Sequence, residues 1–438
     1  MRSRAAGTAK TLRGSRALAL AFVLAAAACT SPADDTDLPD VDVGSPPASS
    51  PTETSPGVSP VPSSEGRVPA SLGGRLMVID EAGNLVNVAP DGSDAIVLAE
   101  VVQGESLVVQ PTWSPDGSRV AWVSLEATAG DPAASLVTTT ARGAERTEAS
   151  TTVAPFYLSW DPTSSRIAFL GSPQRDGIQL GVVDVEAGGT QATRLDGGEP
   201  FYLSWDPTGR ELLVHVGVDR LDRLSLDGSL VTVNSRPGSF RAPVWTADGA
   251  NFVYAAGTPT GQHLVVQDVA RARADDLLSF SGSISFVVNP DGSRIAFQVV
   301  EGANDVQPLS VIDLATGDIE QVSSSFVPAF FWSPRGDRLL HLLPEQDAGR
   351  VWFRWAVWGG NETLTSHRFY PSQTFGRDYL PFFEQYAQSM SLWAPDGTAF
   401  AYAGINEAGE EGVWVQSVRP PGAPVRVMAG SFATWSPR

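Results

Sequence analysis

The stretch that decides the fold is WSPDGSRVAWV, residues 113–123. Pro115 presets φ for a turn, Asp116 can accept hydrogen bonds from its own backbone, and Gly117 supplies the positive φ that closes the turn. The residues on either side, Thr112-Trp113 and Val120-Ala121-Trp122, read as short strands. The phrase is a β-hairpin with a Trp ending its first strand. It recurs as WDPTSSRIAFL (Trp160), WDPTGRELLVHV (Trp205), WTADGANFVYA (Trp245), VNPDGSRIAFQV (Val288), WSPRGDRLLHLL (Trp332) and WAPDGTAFAYAG (Trp393), and the sequence ends inside an eighth copy, ATWSPR, at Trp435. Successive spacings are 47, 45, 40, 43, 44, 61 and 42 residues. A period of about 40–45 residues is the length of a four-stranded propeller blade.

Two more strands follow each hairpin, for example LGVVDV (180–185) then ATRL (192–195), and PLSVIDL (308–314) then IEQVS (319–323). Each unit is therefore four strands, A to D. Before the first phrase stand RLMVID (75–80), NLVNVAPDG (84–92) and AIVLAE (95–100), which read as B, C and D without an A. The final SFATWSPR supplies the missing A. Joining the two ends removes the free sheet edges that an open array would expose. The expected fold is an all-β propeller over residues 70–438, with eight blades favoured and seven the alternative. Each Trp should wedge between neighbouring blades. Val288, where the Trp is lost, and Thr246-Ala247, where the Pro is lost, depart from the pattern.

The recurring W-S-P-D-G turn followed by a strand resembles the TolB-like, WD-repeat-like propeller family from about Ala70 to Arg438. The resemblance implies a propeller and leaves function open, because such propellers serve as binding scaffolds, as gating domains of peptidases and occasionally as lyases.

Ahead of the repeats lies a different composition. Residues 1–16 are basic, and Ala17–Ala28 (ALALAFVLAAAA) is an apolar run of signal-peptide length, too short to span a bilayer. Three alanines directly precede Cys29, the one cysteine of the chain. This resembles a lipobox, which implies cleavage before Cys29 and lipid attachment on its thiol. The lipobox pattern has Leu three residues before the Cys, where this chain has Ala26. Ordinary secretory cleavage in the same run, leaving a free thiol, is the other reading. Both put the protein outside the cytoplasm. A lipid would hold it on the extracytoplasmic face of the cell membrane, with residues 29–69 as a disordered Pro/Ser/Asp-rich tether.

The formal net charge is −19, and removal of the five basic residues in the leader makes it −24. That balance argues against nucleic acid, whose binding needs Lys and Arg to displace counterions, and against adhesion to anionic headgroups by basic attraction. One cysteine allows neither an internal disulfide nor a thiol-based zinc site.

The residues supply little catalytic chemistry. There is no G-x-S-x-G elbow. His215, His263, His341 and His367 fall in strands B, C, B and D of different units without metal-ligand spacing. Asp34-Asp35, Asp275-Asp276 and Glu410-Glu411 read as solvated charge. No D-x-D-x-D-G calcium loop occurs. The expectation is no catalytic residue, no metal and no cofactor.

What remains is recognition on the face built by the D–A and B–C connections. Tyr157 and Tyr202 occupy matching positions in APFYLSWDPT (154–163) and EPFYLSWDPT (199–208), three residues before their Trp, and Arg241 lies four before Trp245. The 61-residue spacing reflects an insertion, YPSQTFGRDYLPFFEQYAQS (370–389), expected to project above the same face. Its Phe375, Arg377, Tyr379 and Tyr386 are the other ligand-face candidates, since aromatics with Arg make interface anchors. The bland alternative is that the aromatics pack the insertion down and the two tyrosines fill the channel. The sequence thus favours a non-catalytic, lipid-anchored, monomeric propeller that binds a protein or cell-envelope polymer. A propeller enzyme acting on glycans or peptides in the central funnel is second.

Overall fold

The local turn chemistry builds the sheets. In the computed structural model the Asp116 carboxylate accepts the Ser118 N–H at 3.0 Å and the Ser114 hydroxyl at 2.6 Å, which ties the loop of the hairpin to itself. Gly117 adopts φ 71°, as the turn demands, and its counterpart in the Trp160 copy is Ser164, held at φ 61°. The structure describes residues 72–438 apart from 129–132, 152, 173–176, 187–191, 199–200, 219, 259–260, 303–304 and 360–363. The leader, Cys29 and the tether lie outside the described residues.

Among the described residues the strands form seven antiparallel sheets: five of four strands, one of five and one of eight. The regular sheets follow the repeat. Ser106–Trp113, Arg119–Glu126, Ala133–Thr140 and Thr147–Ser150 pair in chain order in the first, and the Trp160, Trp205, Trp245 and Val288 units repeat the scheme. Loss of the Trp at Val288 leaves a regular innermost strand, Ser283–Val288. Loss of the turn Pro in the Trp245 copy goes with an innermost strand of only two residues, Val244–Trp245.

The two ends meet as the partial repeats imply. Gly430–Trp435 pairs antiparallel with Leu76–Asp80, in the register Leu76↔Trp435 and Val78↔Ala433, and Leu85–Val88 and Ile96–Ala99 complete that sheet. The Trp435 indole donates to the Gly73 carbonyl at 3.0 Å, and the Arg75 N–H donates to the Ser436 hydroxyl at 2.8 Å. The architecture is a β-propeller.

The signature tryptophans act between units. The indole N–H groups of Trp205, Trp332 and Trp393 donate at 3.0–3.1 Å to the carbonyls of Ser159, Val287 and Phe331. Each acceptor is the residue just before the signature position of the preceding unit. One side chain thus buries a large apolar ring and satisfies an edge carbonyl of its neighbour. Trp332→Phe keeps most of the ring and leaves the Val287 carbonyl unpaired. It should lower stability by about 1–2 kcal/mol more than Trp245→Phe, whose indole nitrogen has no acceptor, as read from denaturant midpoints.

The eight-stranded sheet is where the pattern changes. After Leu364–Thr365 the chain leaves its unit, and Phe369–Pro371 pairs both with Arg350–Trp358 and with Ala399–Asn406, joining two units into one sheet. The innermost strand of the Trp393 unit shrinks to the single bridge Trp393↔Phe400. His367, expected in a strand, falls in this connection, where its ring packs edge-on against Trp414. The cause is the insertion, which takes the chain away from the sheet just where a D–A connection would be short.

Candidate functional site

The insertion does not project above the face. Within it Phe375–Tyr379 is a π-helical turn, Leu380–Phe382 a 3-10 turn and Phe383–Tyr386 a single α-turn. Phe383, Glu384, Gln385 and Tyr386 are all buried, so this turn has no solvent face. A four-residue turn buried all round must be surrounded, and its partners show by what.

Gln385 uses every polar atom of its amide. Its Nε2 donates to the Leu203 carbonyl at 2.7 Å and to the Tyr157 hydroxyl at 2.9 Å, and its Oε1 accepts the Leu203 N–H at 2.9 Å. The side chain thereby pairs with Leu203 much as another strand would, covering the free inner edge of Phe201–Trp205. Glu384 Oε1 accepts the Phe286 N–H at 2.8 Å, and its Oε2 lies 3.6 Å from Arg241 Nη1. The Tyr386 hydroxyl donates to Gln110 Oε1 at 2.8 Å. Phe383 packs edge-on against Phe330 and Phe331, Tyr379 stacks on Phe432 at 4.5 Å, and Gln388 Nε2 donates to the Pro243 carbonyl at 3.2 Å. These partners lie on or beside the innermost strands of seven units. Only a segment on the axis reaches them all, so the insertion is a plug in the central channel.

Local irregularities serve the plug. Gln110, a non-glycine residue at φ 55°, sits in a register shift between Val109 and Thr112, and such a bulge re-aims a side chain. Ser372 and Thr374 tie the start of the insertion to Ser431 in the closing strand.

The seven ligand-face candidates divide accordingly. Tyr157, Phe375, Tyr379 and Tyr386 come together as a buried aromatic cluster; Tyr157 meets Tyr386 edge-on at 5.2 Å and Tyr379 lies 4.4 Å from Tyr386. Tyr202 is buried too, stacked on Phe240 at 4.4 Å. Arg241 is partly buried between Glu384 and the Ser283 hydroxyl. Arg377 stands apart, its side chain 62% exposed and its guanidinium on the neighbouring Asp378 carboxylate. Phe382 is exposed as well. Of the insertion's side chains named here, Arg377 and Phe382 are exposed and the tyrosines are covered.

Glu384 and Gln385, which anchor the plug, went unread in the sequence. Their signal was present: two polar residues inside an aromatic run, FFEQY (382–386), which no amphipathic face accounts for. Burial raises the Glu384 carboxyl to about 7, with Arg241 and the Phe286 N–H pulling it down. Burial lowers His215 to about 4. Its Nδ1 donates to the Arg241 carbonyl at 2.8 Å, which leaves Nε2 as a buried acceptor without a partner. Burial also raises the hydroxyls of Tyr157 and Tyr379. Among the described residues no three His, Cys, Asp or Glu side chains group as metal ligands.

No family model and no curated protein matches the chain. Solved structures do. A eukaryotic initiation factor is similar at 10% identity and a TM-score of 0.51, over 83% of this chain and 99% of that one. A structure from a study of two prolyl endopeptidases is similar at 13% identity and a TM-score of 0.50, over 76% of this chain and 50% of its own length. TolB from Acinetobacter baumannii aligns at 11% identity and a TM-score of 0.39, over 63% of this chain and 73% of TolB. The likenesses are of fold alone. The class that the sheets define, in keeping with the first two of these structures, is a β-propeller, here with its axis filled by the chain's own insertion.

Proposed function

We propose that the protein is a non-catalytic binding scaffold, anchored outside the cell membrane by a lipid on Cys29 and held off it by the tether, which recognises a protein or cell-envelope polymer. We further infer eight blades, the eight-stranded sheet counting as two. The observation that carries the scaffold reading is the plug. The funnel in which a propeller enzyme would hold its substrate is occupied by Glu384, Gln385 and the aromatic cluster. Recognition then falls to the rim and to the plug's exposed Arg377 and Phe382. Glu384, an acid poised near neutrality beside Arg241, is the feature that favours the enzyme reading, and that reading requires the plug to leave the axis.

Site-specific photocrosslinking in intact cells tests the scaffold. A crosslinker at position 382 should capture a defined envelope neighbour, which Arg377→Glu in the same chain removes, while Cys29→Ala releases the protein from the membrane fraction. A neighbour list that Arg377→Glu leaves unchanged would exclude the plug surface as the binding site. Turnover of an envelope glycan or peptide, abolished by Glu384→Gln, would replace the scaffold with the enzyme.

A further inference from the structure

The repeat inverts its own charge once. In WSPDGSR the turn carries an acid at its fourth position, as at Asp116, Asp291 and Asp396; in the Trp332 copy, WSPRGDR, that position is Arg335 and the acid has moved to Asp337. The arginine that ends the phrase is normally answered by a carboxylate. Arg166 and Arg294 lie directly across strands from Asp184 and Asp313 and pair with them at 3.5 and 3.8 Å, and Arg119 reaches Glu145 at 3.3 Å. In the Trp332 unit the last cross-strand pair is Leu339↔Trp358, which sets Gly359 opposite Arg338. The carboxylate position has become a glycine, at φ 94°, so close that a Cβ there would stand 2.5 Å from the Asp337 carbonyl.

The consequence is a buried arginine with no carboxylate bonded to it among the described residues. Arg338 is 6% exposed, the one arginine buried to this degree among the described residues. Its Nε is sealed from solvent without an acceptor, and its guanidinium makes no hydrogen bond or ion pair among the described residues. Among the described residues the buried carboxylates are answered: Asp161 and Asp206 by backbone N–H groups, Asp222 by Arg220, Glu384 by Arg241. A guanidinium whose Nε is sealed without an acceptor is costly, and an anion reaching its outer nitrogens would offset part of that cost. The surroundings add positive charge. Arg419 comes from the turn of the neighbouring unit, where its N–H and that of Val418 donate to the Thr398 carbonyl at 3.1 and 2.7 Å. That neighbouring hairpin turn packs on the Trp332 turn, since a Cβ on Gly397 would lie 3.9 Å from the Ser333 Cβ. The charges of Arg335 and Arg419 both act on Arg338, with Asp337 alone opposing them. The turns that carry Arg335, Arg338 and Arg419 thus bring three arginines and one acid to the same side, in a chain of net charge −19.

We propose that Arg335, Arg338 and Arg419 form a binding site for a phosphate-class oxyanion, on the propeller face built by the A–B and C–D turns and so opposite the plug's exposed surface. Planar guanidiniums match the paired oxygens of such a group.

The test uses the processed full-length chain and inorganic phosphate, against chloride at matched ionic strength. Phosphate should raise the thermal midpoint and bind measurably in calorimetry. Arg338→Met should abolish the response and stabilise the phosphate-free protein, because it removes a buried Nε that has no acceptor. Arg335→Ala/Arg419→Ala, both at exposed positions, should weaken phosphate at least about tenfold even if Arg338→Met folds poorly. Flotation with phosphatidylcholine vesicles, with and without phosphatidic acid, separates the sources: binding only to the acidic vesicles assigns the group to a lipid headgroup, and phosphate binding without flotation assigns it to a soluble phosphate. The proposal is overturned if phosphate has no effect beyond ionic strength, or if its effect survives the double variant.

Discussion

Gln385→Leu should lower the unfolding free energy by about 3–5 kcal/mol, a large loss for a nearly isosteric change to an apolar side chain. The leucine fills the space and strands the partners. Leu203 keeps a buried N–H and a buried C=O with nothing to pair with, and the Tyr157 hydroxyl loses its donor, although it still donates to the Gln385 backbone carbonyl at 3.2 Å. Each orphaned buried group costs about 1–3 kcal/mol, so the two Leu203 groups together account for the range. Gln388→Leu is the matched comparison. It removes one bond, to the Pro243 carbonyl at 3.2 Å, from a half-buried position, and should cost about 1 kcal/mol or less. Urea midpoints give both values. Limited trypsin digestion adds a local readout, because the exposed Arg377 lies on the plug and should be cut faster once its anchor is loosened. A Gln385→Leu protein within about 1 kcal/mol of wild type would mean that the amide does not anchor the insertion on the axis.

The contrast between hairpins and plug shows what a sequence carries locally and what it does not. The turn at Ser114–Arg119 was legible because its determinants are neighbours in the chain: Asp116 caps Ser118, and Gly117 takes the positive φ. Closure through Gly430–Trp435 was legible because an unfinished repeat at one end matched an unfinished one at the other. The insertion was visible as surplus length between Trp332 and Trp393, but its direction is a tertiary choice. A long D–A connection can rise from the rim or turn inward, and the choice rests on whether the ring offers partners. Here it offers the Leu203 edge, the Phe286 N–H and Gln110 on its bulge, none of which announces itself as an acceptor or donor for residues 384–386. Tyr157 and Tyr202 were rightly placed on innermost strands, yet Tyr157 reaches the plug by a hydrogen bond, while Tyr202 stacks on Phe240, a residue its own motif does not contain. The Arg335 exchange could be read by laying the repeats over one another. That Arg338 loses its carboxylate became visible only through the cross-strand register that sets Gly359 opposite it.

Glu384 makes the anchoring of the plug depend on pH, in the direction opposite to the buried histidines. Its folded value, about 7, lies above the ordinary 4.5, so across that interval the folded protein holds a proton that the unfolded chain has released. Its contribution is therefore present in acid and is lost as pH rises from about 4.5 through about 7, and the span converts to about 3 kcal/mol. His215 and His341 are each lowered by burial from 6.5 to about 4. The unfolded chain takes up protons that the folded imidazoles refuse, so their contribution is complete above 6.5 and is lost as pH falls through about 4. Asp116, Asp206 and Asp291, all lowered, add to the loss in acid. The wild-type profile sums these opposed limbs, so Glu384 is isolated only by difference. Glu384→Gln retains an acceptor for the Phe286 N–H and removes the titration. Relative to wild type, this variant should gain about 3 kcal/mol between pH 4.5 and pH 8, measured by urea unfolding at each pH. A difference that stays constant over that range would place the carboxyl in water and contradict a buried plug. Hydrogen exchange of residues 375–389, compared at matched pH, then locates the effect. If the titration belongs to the plug, wild-type protection there should fall relative to Glu384→Gln as pH rises through 7, while the Trp113 hairpin keeps the same protection in both. The pH dependence would in that case describe how readily the axis opens, with protonation of one carboxyl as the event that holds it shut.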